Sequence, residues 1–245
     1  MAATLYLLHC GWLNETATDG SIRPIPVPCY LIATANGQHI LVDTGNPAAL
    51  IGAANCGHWY HATCTITPED DPIARLATLG LQPSDIDAIV ATHFDFDHCG
   101  RYDAFVGPAP TVYVQRVQMG AALSDSDRYD PTLWRLPGLR WHLLDGDTVI
   151  DPDVTLLRTD GHAVGHQSLL VQTQSGPVIL AVDAIDSQQM LESRSFPDYY
   201  DAEATNRSVD RLVALAKELD APIIFGHDPE QWATLPLAPD PYSRS

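Results

Sequence analysis

Four side chains that can bind a metal ion lie within six residues of one another near the middle of the chain. They are His93, Asp95, Asp97 and His98, and they follow directly after the apolar run 86–92. A strand that ends in closely spaced imidazole and carboxylate groups can direct several of them into one pocket from a rigid support. This arrangement is typical of a metal site, whereas a polar loop with incidental histidines would need no such support.

Three further apolar segments also end in residues that can bind a metal ion. His162 lies just after one of them, Asp183 directly after the second, and His227 two residues after the third. Strand ends of packed sheets can meet at one edge, so we expect the residues of all four segments to share one pocket. That recurrence favours a metal site over the loop interpretation.

His166 lies four residues after His162 in the same short segment. A single turn rarely supplies two ligands to one metal ion, and ligating histidines are commonly oriented by neighbouring polar groups. We therefore predict that His162 is the ligand and His166 its orienting neighbour, with the reverse assignment as the alternative. Five other histidines have no comparable setting and are expected at the surface or in the ordinary core: His9, His39, His58, His61 and His142.

Length, composition and charge limit the class of protein. The chain has 245 residues, 45% of them hydrophobic, and no linker-like segment, which predicts a single domain spanning 1–245. Its 31 acidic and 13 basic residues give a formal net charge of -18. Such a charge repels a phosphate backbone, so we expect no nucleic-acid partner.

Targeting signals and cysteine usage indicate the compartment. The N-terminus has no basic region and only a short apolar run, and no segment approaches membrane-spanning length. The five cysteines are widely spaced and form no Cys-x-x-Cys pair, which suits buried free thiols in a reducing compartment. We therefore expect a cytoplasmic protein without a membrane partner, in which Cys99 is a small buried side chain beneath the ligand loop.

Two segments of the chain have the pattern of a β-hairpin that ends in an acid. The first joins 27–34 to 39–42 through Asn36-Gly37 and ends at Asp43, and the second spans 168–183 and ends at Asp183. This similarity favours two related β halves that stack as sheets and deliver an acid to the same edge. Convergence of unrelated hairpins on glycine turns is the alternative.

Other elements follow from hydrophobic periodicity. We predict strands at 111–115, 141–144 and 154–159 and helices at 72–79 and 201–219. The second helix has Asp201 as a candidate N-cap and carries one apolar stripe, which predicts that it packs on a sheet. The residues of that stripe are Val209, Leu212, Val213, Ala216 and Leu219.

The motifs together resemble those of the metallo-β-lactamase superfamily, and within it they are most similar to those of the N-acyl homoserine lactonases. They are the His93-to-His98 run, the segment 161–168 (Gly-His-x-x-Gly-His-Gln-Ser), the strand-end Asp183 and the segment 225–228 (Phe-Gly-His-Asp). The resemblance covers nearly the whole chain. It implies an αββα sandwich of two mixed β-sheets flanked by helices, with a dinuclear metal site, usually zinc, at one edge.

The resemblance also implies a ligand set. One metal ion would be held by His93, the residue at 95 and His162, the other by Asp97, His98 and His227, with Asp183 bridging both. Position 95 departs from the family pattern, since the family normally has a histidine there and this chain has an aspartate. A carboxylate can ligate zinc, but the harder oxygen donor also suits iron or manganese.

A second departure lies three residues after Asp183. The lactonases carry a tyrosine there that can donate to the substrate carbonyl, whereas this chain has Asp186. An ionised carboxylate cannot donate a hydrogen bond, so either another group donates or the substrate differs.

Two divalent cations predict a metal-dependent hydrolase. Water between two cations loses its proton near neutral pH, and the resulting hydroxide attacks an ester or lactone carbonyl. Asp97 is predicted to accept the proton and pass it to the leaving alkoxide, with pure ligation as the alternative. Asp43 is expected to hold a ligand or the strand-end turn in place.

The predicted activity is the opening of a lactone of the N-acyl homoserine type. A thioesterase or carboxylic-ester hydrolase on the same site is an alternative, as is a non-catalytic protein with a decayed site. A di-iron flavoprotein would need a flavin domain, for which no segment remains.

The expected partner is a small lactone or ester, in a monomer or a homodimer. The segment 58–61 lines the substrate pocket or, equally well, packs on its own core.

Overall fold

Largely apolar strand segments build two β-sheets in this protein. A computed structural model describes residues 2–16, 20–57, 63–196 and 199–244. One sheet has seven strands in the order β4-β1-β2-β3-β5-β6-β7, and the other has five in the order β12-β11-β10-β9-β8. The strands are β1 Thr4–Thr16, β2 Ile22–Ala33, β3 His39–Val42, β4 Thr63–Thr65, β5 Ala88–Val90, β6 Thr111–Gln115, β7 Arg140–Leu144, β8 Thr148–Asp151, β9 Val154–Arg158, β10 Gln167–Thr173, β11 Gly176–Val182 and β12 Ile223–Phe225.

Both sheets are mixed. In the seven-stranded sheet β3, β5, β6 and β7 run parallel, while β1, β2 and β4 pair antiparallel. In the five-stranded sheet only the β11–β12 pair is parallel. The helices that connect and cover them are α1 Pro72–Thr78, α2 Phe96–Cys99, α3 Arg116–Ser124, α4 Pro131–Trp134, α5 Gln188–Ser193, α6 Ala202–Leu219 and α7 Pro229–Trp232.

Alternation along the strands divides the core into layers. Ile32 and Val42 face the second sheet, where they pack with Leu169 and Leu180. Leu41, which precedes Val42 in β3, faces the other way, toward the helices that cover the first sheet. On the second sheet, Ile179 and Ala181 face outward and pack against Val209 and Leu212 of α6. The layers are therefore helix, sheet, sheet and helix, which confirms the predicted αββα class.

The two predicted hairpins are present, one in each sheet. β2 pairs antiparallel with β3, and the turn between them contains Gly37 at a φ of 82°, a conformation that favours glycine. β10 pairs antiparallel with β11. The hairpins thus lie in facing sheets, as the interpretation of two stacked halves requires.

The long helix α6 agrees with the prediction except at one position of its apolar stripe. The Asp201 side chain accepts a hydrogen bond from the backbone N–H of Ala204 at 2.9 Å, so the predicted cap is confirmed. Val213, however, is 36% exposed, so its placement in the stripe was wrong. It lies about 100° around the helix from Leu212 and points past the edge of the covered face.

All five cysteines are buried and unpaired, which confirms the expectation of free thiols. Cys99 is fully buried, and its thiol donates to the carbonyl of Phe94 at 3.3 Å beneath the ligand loop. Among the helices that the structure describes, none combines the length and the apolar character needed to cross a bilayer.

Candidate metal centre

Four strand-to-loop junctions bring the predicted ligands to one edge of the two sheets. The loop after β5 carries His93 and Asp95, and it runs into α2, which carries Asp97 and His98. The second sheet supplies His162 after β9, Asp183 after β11 and His227 after β12. The expectation that these segments converge is therefore met.

Three overlapping groups of donor atoms lie together at this edge, with the atoms of each group within 4.8 Å of one another. The groups are His93, Asp95 and His162; His93, His98 and Asp183; and Asp97, His98 and His227. The first and third share no residue, and each takes ligands from loops of both sheets. They define two candidate positions, which we call the Asp95 position and the Asp97 position.

Asp183 lies between the two positions. Its Oδ2 is 3.5 Å from Nε2 of His93 and 3.4 Å from Nε2 of His162. Its Oδ1 is 3.4 Å from Nε2 of His98 and 3.3 Å from Nε2 of His227. One carboxylate oxygen thus faces each position, which is the arrangement of a bridging carboxylate.

The donor atoms at this edge fit a metal ion. Nε2 of His93, Nε2 of His98 and Oδ1 of Asp183 are buried and make no hydrogen bond among the described residues. Buried polar atoms are normally bonded, because an unsatisfied one costs about 1–3 kcal/mol. Imidazole nitrogens and carboxylate oxygens together match the donors that divalent transition metals prefer. Cations at the two positions would satisfy these three atoms at once.

Asp43 holds the Asp97 position from behind, as its predicted supporting role requires. Its Oδ2 accepts from Nδ1 of His98 at 2.8 Å and from the Thr92 hydroxyl at 2.7 Å, and its Oδ1 accepts from the Thr92 backbone N–H at 2.8 Å. A carboxylate bonded to Nδ1 of a histidine fixes the ring tautomer and makes Nε2 a better metal ligand. The two hairpin acids, Asp43 and Asp183, thus meet on opposite sides of one histidine.

Further hydrogen bonds outside the donor groups hold Asp183 and His227 in place. His166 belongs to none of the donor groups; its Nε2 accepts from the Asp183 backbone N–H at 3.3 Å, and its Nδ1 is 2.9 Å from the Thr159 hydroxyl. This agrees with the assignment of His166 as an orienting neighbour. Nδ1 of His227 donates to the carbonyl of Pro26, in β2 of the other sheet, at 2.8 Å.

A buried amide pair ties the sheets together just below the centre. The Gln167 side chain in β10 donates to the carbonyl of Ala91 at 2.8 Å, and the Gln115 side chain in β6 donates to the Gln167 amide oxygen at 3.0 Å. Both glutamines are fully buried. Since the bonds link residues of opposite sheets, they fix the height of one ligand loop relative to the other.

Asp95 reaches the centre, but it has a partner that sequence analysis missed. Nε of Arg128 donates to Oδ1 of Asp95 at 2.9 Å, and Nη2 donates to Oδ2 at 2.7 Å. The same Oδ2 is 2.9 Å from Nε2 of His162 and 3.3 Å from Nε2 of His93. The aspartate at position 95, in place of the histidine usual in the family, was the signal that could have predicted Arg128. A carboxylate that replaces a neutral imidazole in a buried cluster needs a compensating positive charge.

A cleft of about 630 Å³ opens above the two positions. Its wall includes Asp97, Arg128, Tyr199 and Met190. Its volume is within the range of sites that enclose a small ligand. The segment 58–61, considered above as a pocket wall, lies outside the described residues.

This chain has Asp186 where the lactonase resemblance implies a tyrosine, and the wall of the cleft carries a phenol elsewhere. Burial together with the charge of Asp183 raises the pKa of Asp186 to about 6, whereas a hydrogen bond from Tyr199 lowers it. Tyr199 is the one phenol among the described residues of the cleft wall. Its ring packs edge-on against His162 with 4.6 Å between centroids. Sequence analysis missed Tyr199, because nothing in its local pattern marks it.

The protein groups of the centre strongly perturb one another's titration. Burial lowers the pKa of His98, but Asp183 and Asp97 outweigh burial and raise it well above its usual value. The pKa of His227 rises in the same way to about 10, chiefly because the charge of Asp183 outweighs burial. His93 differs, since burial and the nearby His98 lower its pKa.

These shifts predict that metal binding releases protons. A ligating imidazole must be neutral, whereas the carboxylates around His98 and His227 raise the pKa of both rings and so favour their protonated forms in the metal-free protein. We expect metal affinity to rise with pH up to about pH 10, by about tenfold per pH unit for each proton displaced. Calorimetric titrations in buffers of different ionisation enthalpy count the protons released.

A matched pair of variants assigns that release. His227→Asn should lower the number of protons by one, whereas His142→Asn, which changes an exposed histidine, should leave it unchanged. Metal binding without net proton release near neutral pH would contradict the expected protonation of these histidines.

Comparison with known proteins places the chain among metal-dependent hydrolases. Residues 22–227 match the family model of the metallo-beta-lactamase superfamily. An N-acyl homoserine lactonase of Bacillus sp is 35% identical over 227 residues, covering 89% of this chain and 88% of that protein. The N-acyl homoserine lactonase AttM of Rhizobium radiobacter is 32% identical over 262 residues, covering 98% of each chain.

Solved structures agree with these relatives. An N-acyl homoserine lactone hydrolase with the product N-hexanoyl-L-homoserine bound at its catalytic metal centre superposes with a TM-score of 0.90. It is 31% identical, and the alignment covers 98% of this chain and 99% of that one. A Bacillus thuringiensis AiiA variant with N-decanoyl-L-homoserine at its active site gives a TM-score of 0.90 at 30% identity, covering 98% and 99% of the two chains.

Proposed function

Because the chain belongs to the metallo-beta-lactamase superfamily, we propose that its metal centre opens the ring of N-acyl homoserine lactones. The protein is a metal-dependent hydrolase, as are the lactonases that it matches along most of its length. The observation that carries the substrate proposal is the placement of Asp183 between two donor groups beneath an open cleft, on a fold whose relatives bind the opened-ring product at their metal centre.

The proposed ligands are seven. His93, Asp95 and His162 would hold one divalent ion, and Asp97, His98 and His227 would hold the other, with Asp183 lying between the two groups. Zinc is the metal we propose, because imidazole and carboxylate donors at a catalytic site suit it well. Iron and manganese are the alternatives, since Asp95 adds a hard oxygen donor.

The chemistry that the two ions supply when bound is a water ionised near neutral pH and a polarised substrate carbonyl. Asp97 is proposed to move the proton. Its Oδ2 lies 3.5 Å from Nε2 of His98 and 4.0 Å from Nε2 of His227, and its side chain borders the cleft. From there the carboxylate is placed to accept the proton of the attacking water and return it to the alkoxide released by ring opening.

Tyr199 is proposed to donate to the substrate from the cleft wall, giving up for this the hydrogen bond that its hydroxyl donates to the Met190 sulfur at 3.3 Å. It adjoins His162, so its phenol lies beside the Asp95 position rather than at the sequence position of the family tyrosine. A donor aimed at the developing oxyanion stabilises the transition state more than the bound substrate.

Tyr199→Phe is therefore expected to lower kcat for lactone opening by about tenfold or more while changing KM little. The substitution removes only the hydroxyl and keeps the packing against His162. Steady-state kinetics measures both constants, and Tyr200→Phe, which alters an exposed neighbour, is the matched control. An unchanged kcat in Tyr199→Phe would assign substrate donation to another group.

A substrate panel tests the proposed function. The metal-loaded protein is incubated with N-acyl homoserine lactones of several chain lengths, simple γ-lactones, acyl thioesters and aryl esters, and acid release is followed with a pH indicator. We expect homoserine lactones to give the highest kcat/KM and Asp97→Ala to remove most of it. Thioester hydrolysis without lactone opening would favour the thioesterase alternative, and absence of bound metal after metal-supplemented expression would contradict the proposal altogether.

A further inference from the structure

We propose that Arg128 makes the two metal positions unequal, so that the Asp95 position binds its divalent ion more weakly than the Asp97 position. The inference rests on the two-ion site proposed above. It concerns a residue that lines the cleft and contacts two proposed ligands, Asp95 and His162.

The guanidinium already uses the atoms that an ion at the Asp95 position would need. Arg128 bonds both carboxylate oxygens of Asp95, at 2.9 and 2.7 Å, and its Nη2 is also 3.2 Å from Nε2 of His162. Arginine cannot give way by losing its proton, because its pKa is far above neutral pH. An ion must therefore share Oδ2 with a cation or displace one N–H bond from it.

Charge also distinguishes the two positions. Asp95 brings one negative charge that Arg128 neutralises, whereas no arginine or lysine in the described part of the chain bonds the Asp97 carboxylate. A fixed positive charge beside a divalent ion repels it. The Asp97 position keeps its full carboxylate charge for the ion.

The supporting hydrogen bonds differ in the same direction. At the Asp97 position, Nδ1 of His98 donates to the Asp43 carboxylate and Nδ1 of His227 donates to a backbone carbonyl. At the Asp95 position, Nδ1 of His93 lies 3.0 Å from the Thr92 hydroxyl, but Nδ1 of His162 is buried without a hydrogen-bond partner among the described residues. Since such bonds orient a ligand and raise its basicity, the Asp97 position is the better prepared of the two.

Stepwise zinc titration tests the inference on the intact protein. Metal-free protein is titrated with zinc against a chromophoric chelator, and the wild type is expected to show two steps that differ in affinity by about tenfold or more. His227→Asn should remove the tighter step and His162→Asn the weaker one. Two steps of equal affinity in the wild type would overturn the inference while leaving the proposed function intact.

Removal of the arginine gives the second arm. Arg128→Gln is expected to tighten the weaker step by about tenfold and leave the tighter step unchanged. Arg116→Gln, which removes an exposed arginine bonded to Asp145, is the matched control and should change neither step. Circular dichroism verifies that the variants are folded.

The outcomes separate the two proposals. A weaker second step in Arg128→Gln would show that the arginine chiefly orients Asp95 as a ligand, and would overturn the inference alone. Failure of the folded wild type to bind zinc, iron or manganese would overturn the proposed function and the inference with it.

Discussion

Asp183→Asn is expected to lower kcat/KM for lactone opening by about a thousandfold, because the proposed bridging carboxylate would support both ions, whose contribution to the transition state would amount to several kcal/mol. The asparagine has the same shape but no charge, and its amide nitrogen would face imidazoles that need an anion. Asp183 lies 3.3 to 3.5 Å from four imidazole nitrogens, so the substitution acts on four other proposed ligands at once.

The measurement has two readouts. Steady-state kinetics gives kcat/KM, and elemental analysis after dialysis gives the metal content, which should fall below that of the wild type. Asp240→Asn, which changes an exposed aspartate near the C-terminus, should alter neither. A folded Asp183→Asn protein with wild-type metal content and activity would refute the bridging assignment.

Gly100→Ala is expected to destabilise the protein by about 3 kcal/mol and to weaken metal binding as well. A Cβ at position 100 would lie 2.1 Å from the backbone nitrogen of Pro47 and 2.6 Å from the carbonyl oxygen of Gly45. The obstacles are backbone atoms, which cannot rotate aside. Relief therefore requires that α2, which carries His98, move away from the loop that begins at Asp43.

Urea denaturation measures the loss as a lower midpoint at unchanged slope. The matched control is Gly120→Ala in α3, where an added Cβ meets nothing within 4 Å. Alanine is the better helix former, so this control should be neutral or stabilising by up to about 1 kcal/mol. Equal stability of Gly100→Ala and wild type would contradict the described contact between α2 and the Asp43 loop.

The sequence predicts the centre well where strand ends carry the chemistry. Parallel and hairpin strands deliver their terminal residues to the edge of a sheet, so His93 and Asp183 could be placed together before any contact was known. The same logic placed Asp43 and Asp183 near one another, since each ends a hairpin. Their meeting at His98 follows from the stacking of the two sheets.

Residues that reach the site from loops and short helices could not be predicted in this way. Arg128 follows α3 by a few residues, and its reach toward Asp95 depends on how that helix packs rather than on any local period. Tyr199 likewise comes from a loop before α6. Val213 shows the opposite error. Its hydrophobicity predicted that it packs on the sheet, but its position around the axis of α6 leaves it exposed.

Each metal position takes ligands from both sheets, and His227 is further bonded to a strand of the opposite one. Removal of the ions would take away the cations that join ligands of the two sheets at the boundary between the layers. The contact between the two sheets should then open before the outer helices detach. Proteases should cleave the metal-free form first in the ligand loops after β5, β9, β11 and β12. Susceptibility to digestion would thus report how well a population of molecules is supplied with metal.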